Sequence, residues 1–283
     1  DPRKGIGIIQ DLNIPDIEWC FVETEGTIEL ATYEVEQTSR SAKANFIKSE
    51  VSRMKSFYIR PFYASKYLVT YHQYHSFLNA SDGYHNSDWW LDFPENYHFQ
   101  DIVTPPSKQP NYPISNISLY QAIAFSRWVD FKYRQHNLFE LHLGISSKEW
   151  QIRLPTEWEW QWVAQCGKER RHYPWGDLSS TLCHNTVEAG INKRSTAVGM
   201  YPNGESVNGV SDLSGNLLEW CLNHHYNIQT IGQYDESTLV VLRGGNFASS
   251  QVEASVMFRN RFNFPHHQDE SCGCRLVLCP VRE

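Results

Sequence analysis

Residues 242–276, LRGGNFASSQVEASVMFRNRFNFPHHQDESCGCRL, constrain the fold more than any other stretch of this 283-residue chain. Arg243-Gly244-Gly245, Arg259-Asn260-Arg261 and Gly273-Cys274-Arg275 make a frame of glycines and arginines. Between the frame positions the side chains follow neither helical nor strand periodicity. The frame reads as scaffold and the filler as surface.

The chain is long enough to bury roughly 75% of its unfolded surface, as one large domain or two. Its net charge is −7, spread without basic runs, which argues against a nucleic-acid partner. No stretch approaches the ~20 apolar residues that a membrane span needs. The opening DPRKGIG is not a signal peptide and has no initiator Met, so a module of a longer protein is expected. Ten Trp and fifteen Tyr supply anchoring rings, with some to spare for a binding surface. Of seven cysteines, Cys20, Cys166, Cys183 and Cys221 stand apart while Cys272, Cys274 and Cys279 cluster. There is no C-x-x-C pair, which argues against structural zinc; reduced, buried thiols in a cytoplasmic protein are expected.

Three helix starts carry the capping-box pattern: Thr70-Tyr71-His72-Gln73, Ser118-Leu119-Tyr120-Gln121 and Thr156-Glu157-Trp158-Glu159. Each is expected to open an amphipathic helix, with Tyr74, Phe77 and Leu78, then Ile123, Trp128 and Val129, then Trp160, Val163 and Ala164 facing the core. Strand-like runs occur at residues 57–59, 240–242 and 275–278. The pattern predicts an irregular α+β domain over 56–283, with 1–55 as a leading segment and opening hairpin.

Several blocks then occur in a fixed order: FYASKYLVT at 62–70, YPISNIS at 112–118, RLPTEWEW at 153–160, YPWG at 173–176, GVSDLSGNLLEW at 209–220 and RGG at 243–245. Together they resemble the formylglycine-generating enzyme (sulfatase-modifying factor) family. The resemblance implies a C-type-lectin-like fold with a small antiparallel core, two main helices and many irregular loops. Catalytic members hold copper on two cysteines after the R-G-G, and the matching positions here are Ser249 and Ala254. Serine is a hard ligand and alanine none, so the expectation is that the chain is not an enzyme; the alternative is a copper-dependent formylglycine-generating oxidase. A sister branch uses three-histidine iron. His72 with His75, His224-His225 and His266-His267 lack a third ligand at matching spacing.

The resemblance also implies structural calcium at Asp212, Gly215, Leu217 and Glu219, carboxylates flanking a glycine turn. The alternative is that Asp212 closes its own turn and Glu219 forms an ion pair. A second calcium loop would draw on Asn185, Thr186 and Glu188.

The family's non-catalytic members include variable proteins of diversity-generating retroelements and C-terminal sensor modules of large bacterial signalling proteins. The frame at 246–271 resembles the first. A ligand-recognition surface is therefore expected from Phe247, Ala248, Ser249, Ser250, Val252, Glu253, Met257, Phe258, Asn260, Phe262, Phe264, His266, His267, Gln268 and Asp269. Among these, Phe247 and Phe258 are the ones expected to be buried instead. The partner is an unidentified protein or small ligand at that surface, with further domains of a parent protein alongside.

Overall fold

The computed structural model describes residues 1–34, 51–190, 194–259 and 262–281. All three capping boxes form: each hydroxyl accepts from the amide three residues on, and Gln73, Gln121 or Glu159 reaches back. They open α1 (Tyr71–Asn79), α2 (Leu119–Gln135) and, past the short α3 (Leu138–Leu143), α4 (Glu157–Ala164).

Two four-stranded sheets carry the core. In the first, Trp19–Val22, Phe62–Ser65, Val277–Pro280 and Trp150–Arg153 lie side by side, all antiparallel. In the second the order is Phe262–Asn263, Val240–Arg243, Leu218–His224 and Cys272–Gly273, the last pair parallel. A long hairpin, Gly26–Glu34 with Val51–Ile59, packs against α4. Its return strand crosses the boundary expected at residue 55, and Trp19–Val22 is built into the first sheet.

The largest apolar cluster surrounds α1 and α2, where Tyr74, Phe77, Trp90, Tyr120 and Trp128 are fully buried. A second lies between the hairpin, α4 and the 210–213 turn, with Trp160 and Trp162 at its centre. The amphipathic reading of α4 is corrected here: all eight of its residues are buried. A helix enclosed on every side must satisfy its polar residues internally. Glu157 through Oε1, Glu159 and Gln161 do so by gripping Arg243, Arg259 and Arg153, which lie outside the helix. Among the described residues no helix is long and apolar enough to cross a membrane.

Candidate functional site

The frame residues tie the C-terminal segment down from beneath. Arg243 on its strand lays its guanidinium over the Trp160 ring at 5.0 Å, and donates to Glu157 Oε1 at 3.2 Å, to Gln161 Oε1, and to the Val256 carbonyl at 2.7 Å. Arg259 reaches the same Glu157 Oε1 at 2.6 Å and the His225 carbonyl at 2.9 Å. Two buried cations thus converge on one buried carboxylate, an arrangement that fixes geometry more than it adds stability. Gly244 and Gly245 both hold positive φ, and a Cβ on Gly245 would meet Ala254 Cα at 2.8 Å. That contact explains the second glycine of the R-G-G in physical terms.

On this base the predicted surface residues divide. Val252, Met257, Phe262 and Phe264 are exposed at 65%, 54%, 38% and 41%, with Ala248 and His267 also exposed. Phe258, His266, Gln268 and Asp269 are half-buried. Phe247 belongs to the core, packed with Ile6, Leu68 and Leu217, and Ser249 is buried. Ser249 therefore leaves the surface set, and Phe247 is buried as expected, whereas Phe258, expected to be buried, is only half-buried. Ser250 and Glu253 are spent on each other. Glu253 Oε2 accepts from the Ser250 amide at 2.9 Å while Ser250 Oγ accepts from the Glu253 amide at 3.3 Å, a capping box legible as S-x-x-E. Asp269 similarly closes its own turn on the Ser271 amide at 2.7 Å. Asn260, and the frame residue Arg261, lie outside the described residues.

Neighbours that the sequence reading missed complete the surface. Phe264, His266, Tyr97 and Tyr120 form a run of near-parallel rings at 5.7, 4.8 and 5.4 Å, leading from solvent to the core. Met257 joins Met54 of the hairpin, Gln161, Gln165 and Trp162 around a cavity of about 390 Å3. Nothing in the local sequence of Tyr97 or Met54 points there, because only the fold brings them alongside.

The metal positions can be tested against their donors. Ser249 Oγ is engaged with Asn246, donating to its Oδ1 at 3.2 Å and accepting from its amide at 3.1 Å. Ala254 is buried under Gly245. Copper(I) finds no thiolate pair here, so the residues present do not fit it. Burial raises the Cys20 thiol to about 11 and pushes Cys166, Cys221 and Cys274 up as well. Cys272 and Cys274 pack into one apolar cluster and Cys279 into another.

At the glycine turn, both oxygens of Glu219 accept from Arg275, at 2.9 and 3.0 Å, and Arg275 also donates to the Ser65 and Ser211 carbonyls. Glu219 therefore leaves the expected calcium set, which keeps one carboxylate, Asp212, beside Gly215 and Leu217. Calcium sites usually gather more acidic oxygens than that. Asp212 accepts from the Gly199 amide at 2.7 Å, and burial pushes its carboxyl up to about 6. In the second loop, Asn185 donates to the Arg194 carbonyl and Glu188 accepts from the Gln251 amide at 3.0 Å. Among the described residues no three His, Cys, Asp or Glu side chains converge on one point.

The chain as a whole is similar to known proteins. The chain is 24% identical over 242 residues to a hercynine oxygenase of Mycolicibacterium thermoresistibile, covering 74% of this chain and 49% of that protein. It is 26% identical over 149 residues to a formylglycine-generating enzyme of Thermomonospora curvata, covering 47% and 41%. The chain thus spans about half the length of these curated relatives or less. Variable protein 1 of Treponema denticola shares the fold, with a TM-score of 0.56 at 17% identity over 89% of this chain and 98% of that one. The expectation that the chain is not an enzyme is overturned by these two curated relatives, both named as enzymes. Its physical flaw is plain: losing one thiolate pair removes one chemistry rather than every chemistry. The sequence profile of the sulfatase-modifying factor enzyme 1-like domain matches residues 23–279, and the chain belongs to that family.

Proposed function

We propose that this chain is the substrate-holding part of an oxidative enzyme, receiving a small sulfur-containing ligand against Val252, Met257, Phe262 and Phe264. The observation that carries this reading is the contrast between a segment anchored from below and its uncommitted upper face. Arg243 and Arg259 fix the segment's backbone on Glu157. Above that anchor, Val252, Met257, Phe262 and Phe264 are 38–65% exposed with no periodic reason to be so, Phe262 resting on the His225 ring and Phe264 on that of His266. The oxidative class is supported by the likeness to a hercynine oxygenase and to a formylglycine-generating enzyme. Because Ser249 and Ala254 do not fit copper(I), the redox centre in this proposal comes from outside this pair of positions. What these residues do is bind and orient. Met257 offers a polarisable thioether at the rim of its cavity, and the Phe264–His266–Tyr97 rings, which do not line that cavity, add a separate flat surface on the same segment.

The test is a thermal-shift screen of thiols, thioethers and cysteine peptides against the wild type and a Met257→Asp, Phe264→Ala double variant. The expected outcome is at least one compound that raises the wild-type Tm and leaves the folded double variant unmoved. A bound ligand at 100-fold its Kd adds about 2.7 kcal/mol, a readily measured shift. Equal shifts in both proteins, or none in either, would remove the proposal.

A second reading, that the same face is diversified by a retroelement, is favoured by the frame-and-filler division at 246–271. It predicts substitutions confined to the exposed filler positions among close isolates, with Arg243, Gly244, Gly245 and Arg259 constant. Sequencing that segment and its flanking DNA decides it.

A further inference from the structure

We propose a separate ligand site, between α2, the 92–93 turn and the 231–234 loop, that takes a small monocarboxylate with an apolar tail. The cavity there is about 580 Å3, within the ~300–1,000 Å3 of small-molecule sites. Ile123, Leu154, Leu222 and Ile231 make up its apolar side, Asp92, Ser126, Asp130, Gln151 and Arg153 line the rest, and Arg127 supplies a cation.

Arg127 is held in place but under-neutralised. Its Nη1 donates to the carbonyls of Trp89 at 3.0 Å and Leu91 at 2.7 Å, and its guanidinium lies 4.8 Å from the Phe93 ring centroid. The acid that faces it is Asp92, 3.9 Å from Nη2 and 89% exposed, a pairing that solvent screens strongly. Burial pulls the guanidinium below its ordinary pKa, the signature of a charge short of counter-charge.

The other charged groups of the wall are already matched. Asp130 accepts from Arg134 and from the Ile152 amide, each at 2.7 Å, and Arg153 is paired with Glu159. One cation whose facing acid is the exposed, solvent-screened Asp92 suits a monoanion, whereas a dianionic phosphate would need a second. The guanidinium fork is shaped for a carboxylate, and the apolar side of the lining for its tail. The far wall is stiff: Gly232 and Gln233 both hold positive φ, and Tyr234 Oη donates to the Leu222 carbonyl at 2.6 Å. A Cβ on Gly232 would meet no atom within 4 Å, so this turn faces open space.

The experiment is calorimetric titration of sodium octanoate, with 1-octanol as the uncharged control. Saturable binding of octanoate is expected, at least tenfold tighter than that of octanol. Arg127→Met keeps the stem over Phe93 but removes the charge, and should weaken octanoate at least tenfold with the Tm retained. Gln233→Trp crowds the same wall while leaving the Arg127 charge in place and should weaken it similarly. Absence of saturable octanoate binding overturns the proposal, as does equal affinity for octanol or unchanged octanoate affinity in folded Arg127→Met. Should Arg127→Met fail to fold, Gln233→Trp decides alone: tenfold weaker binding supports the site, and unchanged binding overturns it.

Discussion

Asp212 is 8% exposed, adopts a left-handed φ of 59°, and carries a carboxyl that burial lifts from 3.8 to about 6. The folded state therefore holds its proton more tightly than the unfolded chain does. Stability from this group is fully present below pH 3.8 and is lost as pH rises through 6, amounting to ~3 kcal/mol. Asp212→Asn keeps the shape and tolerates the same φ. It should raise the Tm at pH 7, with the gain vanishing near pH 4, as scanning calorimetry would show. A cation bound at this carboxylate would reverse the sign of that result. Glu219 poses the complementary case. Arg275→Met leaves its carboxylate buried and unpaired and should cost about 3–5 kcal/mol in denaturant unfolding, while adding Glu219→Gln should return part of the loss. Since Arg275 already satisfies Glu219, a chelator should leave the wild-type Tm unmoved.

At the scale of elements, the helix starts were legible because a capping box is a local device, a hydroxyl and an amide or carboxylate three residues apart. Thr156→Ala should therefore cost about 0.5–2 kcal/mol, measured by urea unfolding. The cost should fall at the upper end, because Glu159 also holds Arg153 at 2.7 Å. What α4 does was not legible. Glu157 meets Arg243 and Arg259 across 86 and 102 residues of chain, and no local pattern reports such separations. The surface shows the same divide. Val252, Met257 and Phe264 could be picked out because they break periodicity beside a recognisable frame. Ser249 follows the same rule and yet is buried, since aperiodic segments bury some side chains whenever they cross a core, as Phe247 does beside Leu217. The ion pair at Glu219 was visible only as one of two alternatives, since a carboxylate beside a glycine turn serves a cation or an arginine equally well.

For the whole molecule, five cysteines are buried and two, Cys20 and Cys183, are partly open. A thiol reagent should titrate two groups in the native protein, Cys20 more slowly because burial raises its thiol, and seven once the chain is unfolded. More than two fast-reacting thiols would mean that a core described above opens readily. The strand Val277–Pro280 sits inside its sheet, pairing with Phe62–Ser65 on one side and Trp150–Arg153 on the other, while Arg275 just before it neutralises Glu219. The keystone of this fold is thus synthesised after every strand it pairs with. A nascent chain on the ribosome carries its first sheet open until those residues emerge, with the edges of Phe62–Ser65 and Trp150–Arg153 unpaired in the meantime.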